Sequence, residues 1–151
     1  MKQALHVLRT AIISWEVLGV LALVSVFQQA PNTFARLQKP IGSTGWLLVT
    51  PLGLLLTGSI GLAWKILFPS KYSSVLKNYP RYPQLRITTL CGVAYVGLGL
   101  ATAAVAVIAA DELQAGLPAL LLCCGYYAAG LSFLSMLSAA LTVRSLAASG
   151  I

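Results

Sequence analysis

The sequence predicts an all-α integral membrane protein: a four-transmembrane-helix antiparallel bundle with both termini on the same side. Three observations carry this expectation. Hydrophobic residues make up 58% of the 151-residue chain and charged residues only 9%, whereas a water-facing surface needs about 25% charged residues. The apolar residues gather into four runs, 10–27, 46–67, 87–110 and 117–143. At about 1.5 Å per helical residue, each run is long enough to cross a hydrocarbon core of about 30 Å. The net charge of +7 is concentrated beside these runs rather than inside them. We read residues 1–151 as one transmembrane domain.

The chain opens with a basic lead, Met1 to Arg9, carrying the only histidine, His6. The first run, Thr10 to Phe27, is longer than a secretory h-region, so it is expected to be retained as a span. Gln28 to Gly45 reads as a polar connection, because Pro31, Pro40, Gly42 and Gly45 all break helices. Its Phe34 and Leu37 suit the membrane interface. The second span begins at Trp46, tolerates Pro51 near its start, and is anchored by Trp46 and Trp64 near its ends. Pro69 to Arg86 is the largest polar segment, with three tyrosines, three prolines, Lys71, Lys77, Arg81 and Arg86. The third span runs from Ile87, a short acidic turn spans Asp111 to Gly116, and Pro118 fits the first turn of the fourth span.

Orientation follows from the cations. With the amino terminus on one side, that side receives Lys2, Arg9, Lys65, Lys71, Lys77, Arg81, Arg86 and Arg144. The other side receives Arg36 and Lys39, together with Asp111 and Glu112. Eight against two places both termini on the cytoplasmic side of a bacterial membrane or the matrix side of an organellar inner membrane.

Lipid tails are as apolar as leucine, so close backbone approach and hydrogen bonds must hold such helices together. In the fourth span Gly125, Ala128, Ser132, Ser135, Ala139 and Thr142 alternate spacings of three and four, which aligns small residues on one stripe. Gly53, Thr57 and Gly61 form a similar row in the second span, and Gly92, Gly99, Ala103 and Ala106 in the third. These rows are read as packing seams. Leu120, Leu121, Leu134 and Leu141 are then expected to face outward.

Glu16 is the one acid inside a span, at an insertion cost of about 2.5–3.5 kcal/mol. It lies on the face of Arg9, about 10 Å deeper. Counting depth along the other helices predicts an intramembrane polar layer of Glu16, Lys65, Tyr95, Ser135 and Ser138, with Lys65 or Arg9 as charge partner. Such a carboxyl serves either as a proton or cation relay or as a hydrogen-bonded lock on helix register. Asp111 and Glu112 suit the amino-terminal end of the fourth helix.

The chemistry expected beyond this is spare. Cys91, Cys123 and Cys124 have no zinc or redox spacing and are read as small buried hydrophobes without a bridge. His6 alone cannot supply a bis-histidine haem. No cofactor, metal or catalytic set is expected, and no enzymatic activity. Lys71, Lys77, Arg81 and Arg86 suit anionic lipid headgroups or a partner protein; the interrupting prolines argue against nucleic acid. The sequence thus favours a non-catalytic accessory subunit of a larger membrane protein complex, packed against other membrane subunits and anionic lipids, and it identifies no soluble substrate. The competing readings are a small oligomeric transporter or channel using Glu16, and a membrane immunity or regulatory protein.

Overall fold

The computed structural model describes residues 2–39, 41–69, 76 and 78–149. The fold is all-helical, with no strand among the described residues. Among the described residues six helices follow in order: α1 Lys2–Ile12, α2 Trp15–Gln29, α3 Pro31–Gln38, α4 Ile41–Leu67, α5 Tyr82–Ile108 and α6 Leu117–Ser149. Among the described residues four stretches are long and apolar enough to cross a membrane: Ala4–Gln29, which is interrupted at Ser14, then Thr44–Leu67, Tyr82–Ile108 and Leu117–Ser149. This suits an integral membrane protein.

The helices outrun the apolar runs at several ends. The expected break at Gly45 is a correction: α4 already starts at Ile41 and passes through Gly45. A side chain at Gly45 would stand 2.8 Å from Val107 Cγ1, so this glycine serves close packing on α5 rather than a turn. α5 begins at Tyr82, with Pro83 in its first turn where no backbone donor is needed. α6 continues through Arg144 to Ser149. Between Gln28 and Ile41 the connection is itself largely helical, α3, started by Pro31 in its first turn.

The core lies where α4, α5 and α6 meet, and α5 against α6 is the most extensive contact. On α5 the buried residues are Thr89, Gly92, Val96, Gly99, Ala103 and Ala106. Their alternating spacing of three and four is one face of a helix. Facing them on α6 are Gly125, Ala128, Ser132, Met136, Ala139 and Val143, all buried. The seam therefore leaves the small-residue row at two positions: Met136 replaces Ser135, and Val143 replaces Thr142. A straight helix turns every 3.6 residues, so a strict three-four row drifts off the contact and an extra step of four corrects it.

The second seam is corrected outright. Gly53 and Gly61 have open space where a side chain would stand, and Thr57 is exposed. α4 instead turns Val49, Leu52, Ser59, Ala63 and Ile66 inward. Four-residue spacing alone is a poor guide here: the α4 contact runs through Val49, Leu52 and Ile66 and through a glycine not in that row, Gly45. Leu120 is likewise buried rather than outward-facing, while Leu134 and Leu141 are exposed.

At one end of the molecule α3 is fastened to the turn between α5 and α6. Gln38 Oε1 accepts from the Gly116 N–H at 2.6 Å, and Gln38 Nε2 donates to the Ala110 carbonyl at 3.4 Å. Phe34 meets Phe27 edge-on at 5.5 Å. Gly116 has φ +88°, and a side chain there would meet Ala35 N at 3.0 Å. Gly116→Ala is therefore expected to destabilise the fold by about 1–2 kcal/mol from the left-handed backbone alone, with the clash adding to it. SDS-titration unfolding in mixed micelles measures this. Asp111 and Glu112 are exposed in this turn and precede α6 by several residues, outside its first turn.

Candidate functional site

The first span is broken where the sequence suggested a continuous rod. α1 ends at Ile12, and Ser14 adopts φ −87°, ψ 153°, an extended conformation that stops the helix. Ser14 then starts α2 as its N-cap, its Oγ accepting from Val17 N at 3.4 Å. Non-helical backbone at membrane depth persists only where neighbouring groups satisfy the freed donors and acceptors. Here Ser14 itself takes the Val17 N–H, and α5 supplies a donor for the freed Ala11 carbonyl. Tyr95 Oη donates to the Ala11 carbonyl at 2.5 Å, and Ser14 Oγ lies 3.1 Å from Tyr95 Oη as a donor. Tyr127 Oη donates to the Trp15 carbonyl at 3.0 Å. Gly19 makes room for the Tyr127 ring, which stands where a side chain at position 19 would be.

Glu16 belongs to this break. It is in the first turn of α2, where the helix dipole favours negative charge by about 0.3–1 kcal/mol. Ser132 Oγ, fully buried on α6, donates to Glu16 Oε1 at 2.9 Å. The carboxylate thus gains a charge-assisted bond and a helix amino terminus in place of a counter-ion.

The predicted polar layer is brought together only in part. Glu16 and Tyr95 belong to the same cluster at the break, but Ser132, assigned to packing from the sequence, is the residue that reaches the acid. Ser135 is half-buried and Ser138 is exposed, its carbonyl accepting from Thr142. Lys65 lies elsewhere, in a cleft between α4 and α6 with Arg144. Depth counting failed here because the break at Ser14 changes where Glu16 sits and faces relative to a continuous rod. The missed partners, Ser14 and Tyr127, carry one legible signal: a serine followed two residues later by an acid suits an N-cap with negative charge in the first helical turn, even inside an apolar run.

Beside the cluster, Glu16, Val20, Leu21, Tyr95, Gly99 and Thr102 line a lateral groove between α2 and α5, of about 240 Å³. It forms because α2 packs on α6 and contributes no buried residue of its own. Among the described residues no three His, Cys, Asp or Glu side chains come together, and the three cysteines are free. Every buried side-chain polar atom there has a hydrogen-bond partner.

Of the proposed headgroup residues, Arg81 and Arg86 are exposed at the start of α5, with the Arg86 guanidinium 6.0 Å from the Tyr82 ring centre. Lys71 and Lys77 lie outside the described residues. Comparison with family models, with curated proteins and with solved structures finds no match to this chain. The functional reading accordingly rests on the chemistry of the cluster and the groove.

Proposed function

We propose that this chain is a non-catalytic accessory subunit of a larger membrane complex. In this reading its spans form an antiparallel bundle with both termini on the positively charged side. Anionic lipids and neighbouring membrane subunits cover its outer face. The observation that supports it best is how the intramembrane acid is used. Glu16 is engaged by Ser132 and by the amino terminus of α2, which fixes the broken first span against α6. The apolar lateral groove beside α2 then offers a neighbouring subunit a place for a helix.

Proteins carried by hydrogen-bonded register locks tolerate loss of charge but not loss of the acceptor. Glu16→Gln keeps an oxygen for Ser132 and is expected to cost about 1 kcal/mol, from the dipole contribution and the weaker neutral hydrogen bond. Glu16→Leu strands the buried Ser132 hydroxyl and is expected to cost about 1–3 kcal/mol. Native-detergent purification of the tagged chain should recover the same companions, at fixed stoichiometry, from wild type and Glu16→Gln. Recovery of the chain alone would overturn the reading.

One observation favours a transporter as second reading. Glu16 stands at a helix break and also lines the lateral groove, and discontinuous helices are where transporters build ion sites. Reconstituted vesicles separate the two: a transporter loses flux in Glu16→Gln while still folding, and a subunit has no flux to lose.

A further inference from the structure

The positively charged end of the molecule contains a second cavity. The carboxyl-terminal turns of α4 and α6 diverge around a cleft of about 660 Å³. Its walls include Trp64, Phe68, Leu137 and Leu141, and its charged groups among the described residues are Lys65 and Arg144. Ile66 and Val143, both buried, form the floor. Tyr82 Oη donates to the Ile66 carbonyl at 3.1 Å and holds the start of α5 beneath it. Trp64 and Phe68 sit one turn apart with ring centres 4.7 Å from each other.

The charges in this cleft are unbalanced. No acid lines it. Of the chain's three acids, Glu16 is bonded to Ser132 and Asp111 and Glu112 lie in the turn between α5 and α6. Two cations beside aromatic and leucine walls match one ligand chemistry: a phosphate diester attached to acyl chains. A free phosphate would make no use of the apolar walls, and an uncharged lipid would leave both cations unmatched. Interfacial cations and tryptophan are also the residue types that sit at headgroup level.

We propose that the cleft between α4 and α6 binds one anionic phospholipid, its phosphate between Lys65 and Arg144 and its chains along Leu137 and Leu141. The site is separate from the Arg81 and Arg86 pair on α5. It rests on the membrane reading and is independent of the subunit reading, so either can fail alone.

The test is quenching of tryptophan by brominated lipids. Trp15 and Trp46, both exposed, are changed to Phe so that Trp64 is the sole reporter. The protein is reconstituted in phosphatidylcholine containing increasing brominated phosphatidylglycerol, and the relative binding constant is read at Trp64. The expected result is preference for the anionic lipid, falling about fivefold for each cation removed in Lys65→Gln and Arg144→Gln. Ala147→Phe fills the cleft without altering either cation and should remove the preference as well. Arg81→Gln/Arg86→Gln changes net charge equally and should leave it intact, as should millimolar inorganic phosphate. Circular dichroism reports retained helix in each variant. The proposal is overturned by equal quenching from anionic and zwitterionic lipid, or by persistence of the preference in Lys65→Gln/Arg144→Gln. Loss in the Arg81/Arg86 variant would identify diffuse charge, and displacement by phosphate would identify a plain anion site; either result also overturns it.

Discussion

Gly125→Leu should separate α5 from α6 and cost about 3 kcal/mol or more, the upper range for overpacking. The reason is that backbone meets backbone at this point. A side chain at Gly125 would stand 2.6 Å from the Gly99 carbonyl oxygen, and one at Gly99 would stand 2.6 Å from the Gly125 carbonyl oxygen. A flexible neighbour could rotate away, but a carbonyl inside a helix can retreat only if the helix does. In lipid the attraction between helices comes from contact and hydrogen bonds rather than water exclusion. Contact falls off within an ångström, so a small displacement is costly along the whole seam. Gly99→Leu should behave alike. It should also narrow the groove beside α2, since Gly99 lines it. Gly130→Leu on α6 and Gly97→Leu on α5 are the controls, because a side chain at either meets nothing within 4 Å. SDS-titration unfolding in mixed micelles ranks all four. Equal losses at Gly125 and Gly130 would mean that glycine content, not the close approach, sets stability.

This contrast marks how far the sequence could be read. The all-helical class, the four stretches of spanning length and most of the α5–α6 seam are written in composition and spacing, because an apolar run of about 18 residues or more reads as a spanning helix. Gly92, Gly99, Gly125, Ala128, Ser132 and Ala139 all lie in that contact. The α4 row of Gly53, Thr57 and Gly61 obeys the same spacing and faces outward. Spacing shows that residues share a face; it does not show which neighbour that face meets. The break at Ser14 was harder to see because its cause is tertiary. Serine inside an apolar run is ordinary in a membrane helix, and the Tyr95 hydroxyl that takes up the freed Ala11 carbonyl, like the Tyr127 hydroxyl on the Trp15 carbonyl, comes from far away in sequence. Once the break exists, Glu16 is at a helix start and its placement near Ser132 follows. Depth counted along an unbroken rod therefore pointed to Lys65, Ser135 and Ser138 instead.

Met136→Ala should be the most damaging truncation on α6, and its loss should be partly recovered by a second substitution. Met136 is fully buried and occupies the space that Gly92 leaves open: a side chain at Gly92 would stand 2.8 Å from Met136 Cγ. In water-soluble cores, truncations of this kind cost about 2–5 kcal/mol, combining lost transfer energy with a cavity. In a bilayer the unfolded reference keeps methionine among lipid tails, so the transfer part shrinks and the cavity part remains. The expected cost is therefore near the lower bound, about 2 kcal/mol. Gly92→Ala in the wild-type background should destabilise too, because its methyl group collides with Met136. In the Met136→Ala background the same methyl enters the vacated space and should restore stability. The double-mutant cycle is then strongly non-additive, with a coupling of about 1–3 kcal/mol in the stabilising direction, as expected for residues sharing one cavity. Ser135→Ala, one position away and half-buried, is the matched control and should show no coupling to Gly92. Additive losses at Gly92 and Met136 would place the methionine outside the α5–α6 seam and return the contact to small residues alone.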